Sequence, residues 1–275
     1  MSLTRIATNV NALNALNALN RINEELGTRQ LRLATGKRIN SAKDDAAGWV
    51  IGKGMEAHAR GLAQALNNVG DAQSLIGVAD AGLQSILDIL ITMKEKVTQA
   101  ASDTLGANER DAVESQLDDL AAEIDSIVAQ TTYNGVALID GTYADKSFQI
   151  GAATTDTMAV SISQNHSAAS LAVADASLEV SSAALASTAL SSVNAAITSV
   201  NSSLRSIGSL GMRLDIKSNA LASILSNTEA AKSQILDADL AYEQLETVKL
   251  QILQQTATAA LAQANMAPQS VLSLF

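Results

Sequence analysis

The 275-residue sequence contains no cysteine, which excludes a disulfide framework and any metal site built on thiolates. It has only two histidines, His58 and His166, so few side chains are available for imidazole catalysis. Basic residues are scarce as well, and the formal net charge of −10 argues against nucleic acid as a partner.

The sequence also lacks the patterns of a membrane span and of a cleaved signal peptide. No long uninterrupted apolar run indicates a transmembrane helix. The opening residues "MSLTRIATNVNAL" lack the basic head, apolar core and cleavage site of a signal peptide. We therefore expect no membrane partner, and either a cytoplasmic protein or one exported by a route that leaves the sequence uncleaved.

Aromatic residues make up 2% of the chain and proline occurs once, although hydrophobic residues account for 47%. The apolar content is therefore mainly alanine, leucine, isoleucine and valine. This composition favours helices whose backbones approach closely over a globule built around large rings.

Apolar periodicity predicts five helices, at residues 3–34, 41–101, 109–129, 183–235 and 237–266. Gly36 is expected to end the first helix, and Ser41 with Asp44 to begin the second. Pro268 is expected to stop the last one.

The middle of the chain carries the signals of turns and strands. Asn134-Gly135 and Asp140-Gly141 are turn dipeptides, and "SFQIG" with "TMAVSIS" alternates well enough for a short β-hairpin. Residues 163–182 are rich in serine and alanine with weak periodicity, so we expect them to be the least structured part. The whole pattern predicts a mainly α fold, a bundle of long helices with one short β-hairpin.

The first predicted helix contains the triplet Asn-Ala-Leu three times, at residues 11–19. At about 100° per residue, leucines three positions apart each lie about 60° behind the last, so the apolar stripe spirals around the helix. With Val10 and Ile22 included, the stripe covers about two thirds of the circumference, more than one neighbouring helix could cover. We therefore expect this helix to have several partners.

No group of residues stands out as an active site. The glycine-bearing stretches "GVADAG" and "GKGMEAHARG" do not fit a phosphate loop. The carboxylate pairs Asp44-Asp45 and Asp118-Asp119 consist of adjacent residues, which point to different helix faces. We expect no enzyme activity, no cofactor and no metal site.

Three segments of the sequence resemble the end segments of bacterial flagellins and occur in the same order. They are "TGKRINSAKDDAAG" at 35–48, "EIDSIVAQTTYNGVALIDG" at 123–141 and "QILQQTATAALAQANMAPQSVLSLF" at 251–275. The likeness covers roughly residues 1–141 and 190–275. The short remaining centre implies that only the two core domains of the family are present.

This resemblance implies a structural subunit that polymerises into the flagellar filament for swimming motility, outside the bacterial cell. Members of the family leave the cell unfolded through the flagellar type III pathway. The implied partners are further copies of the same chain, the flagellar cap, hook-associated junction proteins and an export chaperone.

The resemblance also implies how the chain is divided. Residues 1–42 and 236–275 would form the two halves of a terminal two-helix coiled coil in the inner tube of the filament. Residues 43–180 would form the N-terminal part of a core rod domain, with the β-hairpin and the short central segment. Residues 181–235 would form the C-terminal helix of that domain.

Three sets of site residues follow from the same resemblance. The implied polymer core consists of Val10, Leu13, Leu16, Leu19, Ile22 and Leu26 in the first helix and Leu245, Val248, Ile252, Leu261, Leu272 and Leu274 in the last segment. The implied lining of the lumen is Gln251, Gln254, Gln255 and Gln263. Thr92 and Gln116 replace an arginine and a glutamate in the patch that the host Toll-like receptor recognises, so we expect weak receptor activation.

Two other functions stay open at this point. A hook–filament junction protein resembles flagellin at both ends, although "QANMAPQSVLSLF" fits filament flagellin better. A surface-binding protein or enzyme on a flagellin frame is the second alternative. The sequence has no His-Glu-x-x-His motif, which argues against a metalloprotease insert. Recognition of a polysaccharide by the outer face stays open.

Overall fold

The structure is a computed structural model that describes residues 8–174 and 178–272. Five helices and four short strands follow one another in the order α1 Val10–Thr35, α2 Ala46–Ala100, α3 Ala107–Gln130, β1 Thr132–Tyr133, β2 Val136–Ala137, β3 Tyr143–Gln149, β4 Thr157–Ile162, α4 Ala183–Leu236 and α5 Leu240–Leu272. The predicted mainly α fold with a β-hairpin is confirmed.

The chain forms two compact units. One combines the residues up to Ala59 with those from Asn227 onward, and the other is Arg60–Ser226. Helices α2 and α4 each continue from one unit into the other. The finer division at residues 42, 180 and 235 stays a prediction.

The core of the Arg60–Ser226 unit is built on three helices. Its largest fully buried side chains include Leu83 and Leu90 of α2, Leu117 of α3 and Leu214 of α4. The α2 residues recur at spacings of three and four, as the sequence pattern predicts for a packed helix. Burial of this aliphatic surface stabilises the unit at about 25 cal/mol per Å².

Helices α2 and α4 each contain an 18-residue window long and apolar enough to cross a membrane by length and composition, with 39% and 28% of the window buried. We expected no membrane-spanning helix because the sequence has no long uninterrupted apolar run. Isolated polar residues interrupt the apolar residues in both windows. Helices that supply a protein core have the same composition, because their apolar side chains are covered by neighbouring elements.

The strands form two separate antiparallel pairs. Strand β3 pairs with β4, as predicted, with Phe148 opposite Met158. Strands β1 and β2 are joined at Asn134 and Gly135, whose φ values of 51° and 78° require residues that tolerate the left-handed region.

The described residues of 163–182 form no helix or strand, in line with the expectation for this segment, but much of the segment is packed into the core. Leu171, Val173, Leu178 and Val180 are buried in the core, and residues 175–177 lie outside the described part. Because the segment has neither period two nor period 3.6, its apolar residues could not be assigned to a face from the sequence.

In the other unit, the segment after α1 crosses the end of α4. Gly36 ends α1 in the left-handed conformation, as predicted. The Arg38 N–H then donates to the Leu236 carbonyl at 2.6 Å, and the Ala238 N–H to the Gly36 carbonyl at 2.9 Å. A Cβ on Gly52 of α2 would lie 2.6 Å from the Leu236 side chain, so this glycine permits the close approach.

Helix α1 begins at Val10, after the cap Asn9, and not at residue 3 as predicted. Two further predicted helix ends also differ from the structure. Helix α2 begins at Ala46, because Asp45 accepts from the Gly48 N–H at 3.0 Å, whereas Asp44 accepts from the backbone of Asn40 and Ser41 in the preceding turn. Those backbone hydrogen bonds lower the pKa of Asp44. Helix α5 continues past Pro268 to Leu272, and the hydrogen bonding of Asn9 described below explains how.

Candidate assembly interface

Helices α1 and α5 pack against each other in antiparallel orientation. The Asn9 side chain at the start of α1 contacts Ala264 near the end of α5, while Arg29 near the end of α1 contacts Glu243 at the start of α5. The predicted terminal two-helix coiled coil is therefore present within a single chain.

The facing residues follow a heptad repeat that the triplet repeat conceals. Buried or half-buried positions recur at alternating spacings of three and four, as knobs-into-holes packing requires. In α1 they are Ala12, Ala15, Leu19, Ile22, Leu26, Arg29 and Leu33, and in α5 they are Glu243, Thr247, Leu250, Gln254, Ala257, Leu261 and Ala264. We call these fourteen positions the seam.

One end of the seam is held by a buried carboxylate between two arginines. Glu243 is 4% exposed and accepts from Arg29 at 2.8 Å and from Arg32 at 3.3 Å. The hydrogen bond from Arg29 to Glu243 raises the pKa of the Arg29 guanidinium. A buried charge that is paired only in one alignment fixes the register of two helices.

Asn9 holds the other end of the seam with two hydrogen bonds. Its side-chain oxygen accepts from the Ala12 N–H at 3.1 Å and caps α1, and its amide nitrogen donates to the Ala264 carbonyl at 2.8 Å. Proline lacks an N–H, so Pro268 cannot satisfy the carbonyl four residues earlier, which is that of Ala264. Asn9 supplies the missing donor.

The six residues predicted as polymer core in α1 divide into two groups. Leu26 is buried in the seam, and Leu19 and Ile22 are half-buried there. The remaining three point away from α5 into solvent, and Leu13 is 54% exposed. The outward-facing residues of this group are Val10, Leu13 and Leu16.

The α5 residues divide in the same way. Leu261 is half-buried in the seam, whereas Leu245 is 71% exposed and Val248 and Ile252 are exposed beside it. The side chain of Leu272 and the whole of Leu274 lie outside the described residues. The sequence missed further outward-facing apolar residues, because no periodicity marks them: Leu31, Leu240, Tyr242, Leu253 and Met266.

We call the outward residues Val10, Leu13, Leu16, Leu245, Val248 and Ile252 the outer apolar face; it has two parts, because the α1 residues point away from α5 and the α5 residues point away from α1. Soluble monomers seldom expose so many large apolar side chains on one pair of helices, and such a surface marks an interaction site.

The four predicted lumen glutamines differ in their surroundings. Gln251, Gln255 and Gln263 are exposed. Gln254 belongs to the seam, and its side-chain amide donates to the Asn23 side chain of α1 at 2.6 Å. Their place in a lumen stays a prediction.

The two residues of the predicted receptor patch are both exposed in the Arg60–Ser226 unit. Thr92 lies on α2, where its hydroxyl donates to the Asp88 carbonyl at 3.0 Å, and Gln116 lies on α3.

A serine and a histidine meet in the core, but the geometry indicates a structural role. Nδ1 of His166 donates to the Ile139 carbonyl at 3.3 Å, and its Nε2 lies 2.9 Å from the Ser203 hydroxyl. His166 is fully buried, and burial lowers its pKa. A backbone carbonyl stands where a catalytic triad places a carboxylate. Across the described residues, no three His, Asp or Glu side chains are grouped to hold a metal ion.

Comparison with known families gives the class of the chain. The family described as "Bacterial flagellin N-terminal helical region" matches residues 6–144, and "Bacterial flagellin C-terminal helical region" matches residues 190–275. The chain belongs to the bacterial flagellin family. Flagellins are structural proteins and not enzymes, as the sequence predicts for this chain.

Individual relatives agree with this assignment. The flagellar filament 33 kDa core protein of Treponema phagedenis is 32% identical over 280 residues, which cover 97% of this chain and 98% of that protein. Flagellin A of Helicobacter felis is 36% identical over 158 residues, 58% of this chain and 31% of that flagellin. The match thus spans about a third of the length of the Helicobacter flagellins.

Solved structures bear on the hook-junction alternative. The crystal structure of Bacillus cereus flagellin has a TM-score of 0.50 and 32% identity, covering 60% of this chain and 94% of that one. A flagellar hook-associated protein of Vibrio parahaemolyticus has a TM-score of 0.61 at 16% identity, covering 70% of this chain and 100% of that one. Because that identity shows the fold alone, and the family matches are to flagellin, the hook-junction alternative is not favoured.

Proposed function

We propose that this flagellin is the subunit of a flagellar filament and polymerises through the outer apolar face of α1 and α5. The observation that carries the proposal is that these helices already cover each other along the seam and still expose the outer apolar face. Fully burying one leucine or isoleucine contributes about 1.5–3 kcal/mol. Contact with further copies would therefore strongly favour assembly.

The relatives support this reading. The Treponema phagedenis protein, which aligns with nearly the whole of this chain, is named a flagellar filament core protein. The exposed ends of α1 and α5 are the surface through which such a chain would meet its neighbours. The proposed location is the bacterial flagellum, outside the cell.

The proposed arrangement follows the division inferred from the resemblance. Residues 1–42 and 236–275 would build the inner tube, and residues 43–180 and 181–235 the wall around it. Gln251, Gln254, Gln255 and Gln263 are the proposed lumen residues, because polar, uncharged side chains there would limit adhesion of passing chains. The flagellar cap, hook-associated junction proteins, an export chaperone and type III export belong to the same proposal.

Seeded polymerisation tests the proposal directly. Purified protein is mixed with short filament fragments, and growth is followed by electron microscopy and by the concentration left in the supernatant after sedimentation. We expect long tubes from the native chain. The variant L13A/L16A/L245A/I252A should raise the critical concentration by about a hundredfold or more, because it removes most of the outer apolar face.

A matched control truncates exposed apolar residues outside α1 and α5. Val136 on β2 and Leu185 on α4 are both exposed. The variant V136A/L185A should grow filaments at the native critical concentration. Native protein that never elongates seeds, or normal growth of the four-residue variant, would contradict the proposal.

A further inference from the structure

Helix α4 exposes a face that is both apolar and basic. Met212 is 65% exposed and Ile216 is 67% exposed. Three exposed cations share this face, and within the described residues none of them makes an ion pair or a side-chain hydrogen bond: Arg205, Arg213 and Lys217. An exposed face with unpaired charges and large apolar groups is the composition of an interaction surface.

Helix α3 exposes a face of opposite character. Asp111, Asp119 and Glu123 are exposed, and they too make no ion pair or side-chain hydrogen bond within the described residues. The exposed residues between them on this face, Ser115 and Ala122, are small, and the half-buried Asp118 lies beside them. Small residues allow the large apolar side chains of a partner helix to approach closely.

The two sets of charges have the same spacing. Each set occupies positions i, i+8 and i+12, in the order 111, 119, 123 on α3 and 205, 213, 217 on α4. Each set therefore lies along one i±4n ridge, the row by which helices most often pack, and extends over about 18 Å. Reversing one helix would place Asp119 opposite Ser209, so only the parallel direction matches all three charges.

The two faces cannot meet within one chain. Helix α3 ends beside Gly82 of α2, where a Cβ would contact Thr131. Asp80, two residues from Gly82 on α2, lines the same groove as Ile207 of α4. Arg205 is two residues from Ile207 and therefore lies near the level of the end of α3. Asp111 lies 19 residues before Gln130, the last residue of α3, which is about 28 Å at about 1.5 Å per residue.

We infer that α3 of one copy docks in parallel register on α4 of a second copy displaced by about 30 Å along the helices. This inference rests on the proposed function, since it supplies a contact between subunits of the filament. The matched pairs are Asp111 with Arg205, Asp119 with Arg213 and Glu123 with Lys217.

In this contact Met212 and Ile216 cover the small residues of α3, and the charge pairs select the register. Complementary charges across an interface act mainly on specificity and association rate, because a misaligned copy brings like charges together. The outer apolar face would supply most of the affinity, and the α3–α4 contact would select one stagger between neighbours.

A charge-reversal series tests the register in seeded polymerisation. D119K alone should raise the critical concentration by about tenfold or more at low salt. Adding R213E should restore native growth, because it re-forms the matched pair with opposite signs. Adding R205E instead should not restore growth, because that residue faces Asp111.

The effect should shrink as salt is raised, since exposed charges are screened over about 8 Å at physiological ionic strength. The control D71K/D88K/E95K removes three exposed acids of α2 and should grow normally. Circular dichroism should show native helicity for every variant, because the altered side chains have no partner within the described chain.

The outcomes separate this inference from the proposed function. Native protein that fails to elongate seeds contradicts the proposed function itself. Native growth together with normal growth of D119K, or equal rescue by R213E and R205E, leaves the filament proposal standing and contradicts the α3–α4 register. Equal loss in the α2 control also contradicts it, since net charge would then be the cause.

Discussion

Asn9 shows how a single side chain compensates for a proline in a distant helix. Its oxygen caps α1 at the Ala12 N–H, and its amide donates to the carbonyl of Ala264, which Pro268 cannot satisfy. A buried or half-buried carbonyl without a donor costs about 1–3 kcal/mol. One asparagine therefore begins α1 and lets α5 continue.

Substitution at Asn9 separates the two roles. Aspartate keeps the cap but loses the amide donor, whereas alanine loses both. We expect N9D to weaken the filament by about 1 kcal/mol per subunit and N9A by about 2 kcal/mol. The critical concentration for seeded growth measures this, with a rise of about tenfold per 1.4 kcal/mol. A native critical concentration for N9D would exclude a role of the bond to Ala264, and equal values for the two variants would exclude a role of the cap.

His166 makes the stability of the core depend on pH. Burial lowers its pKa below the ordinary value of 6.5, so the unfolded chain binds the proton first as the pH falls. Stability is therefore present above about pH 6.5 and declines below it, at no more than about 1.4 kcal/mol per pH unit. The decline ends once the pH passes below the folded-state pKa.

Glutamine at this position tests the assignment, since it can keep hydrogen bonds to Ile139 and Ser203 without titrating. H166Q should lose the decline below about pH 6.5 in thermal unfolding of the monomer. A native profile for H166Q would assign the pH dependence to other groups.

At the scale of helices, the seam explains the Asn-Ala-Leu repeat. The alanines at 12 and 15 face α5, the leucines at 13 and 16 face outward, and the asparagines between them are exposed. A repeat of three thus presents a small-residue surface to the partner helix and large apolar side chains to the outside. The spiral of apolar residues led to the prediction that α1 has several neighbours. Within a single chain the leucines at 13 and 16 are exposed, so their contact with further copies stays a proposal.

The ion pairs of α5 offer a matched comparison between buried and exposed charges. Glu243 is buried between two arginines, whereas Glu246 lies 3.3 Å from Lys249, whose side chain is 63% exposed. Breaking a buried pair costs about 3–5 kcal/mol, and exposed pairs contribute about 0–1 kcal/mol. E243Q should raise the critical concentration by about a hundredfold or more, and E246Q by less than about fivefold. Similar effects of the two changes would show that Glu243 does not fix the seam.

For the molecule as a whole, the sequence predicted the class of fold, the five helices and the hairpin, because long periodic segments carry strong signals. It did not predict the seam, since alanine at 12 and 15 gives a weaker signal than leucine at 13 and 16. Nor did it place residues 163–182, whose burial depends on contacts far along the chain. The continuation of α5 past Pro268 depends on Asn9, some 260 residues away.

The receptor patch leads to a prediction about the intact protein. Thr92 and Gln116 replace the arginine and glutamate that the resemblance places there, so a cell reporter for the host Toll-like receptor should respond weakly to the monomer. T92R/Q116E should raise the response, because it restores two charged contacts. A native response as strong as that of an enteric flagellin would contradict this prediction.

Helical reconstruction of seeded filaments by electron cryomicroscopy is the most direct measurement of the proposed assembly. We expect the α1–α5 pairs of neighbouring copies to line the inner tube, with Leu13, Leu16, Leu245 and Ile252 buried between subunits. Filaments in which these side chains face solvent, or native protein that forms no tubes on seeds, would contradict assembly through the outer apolar face.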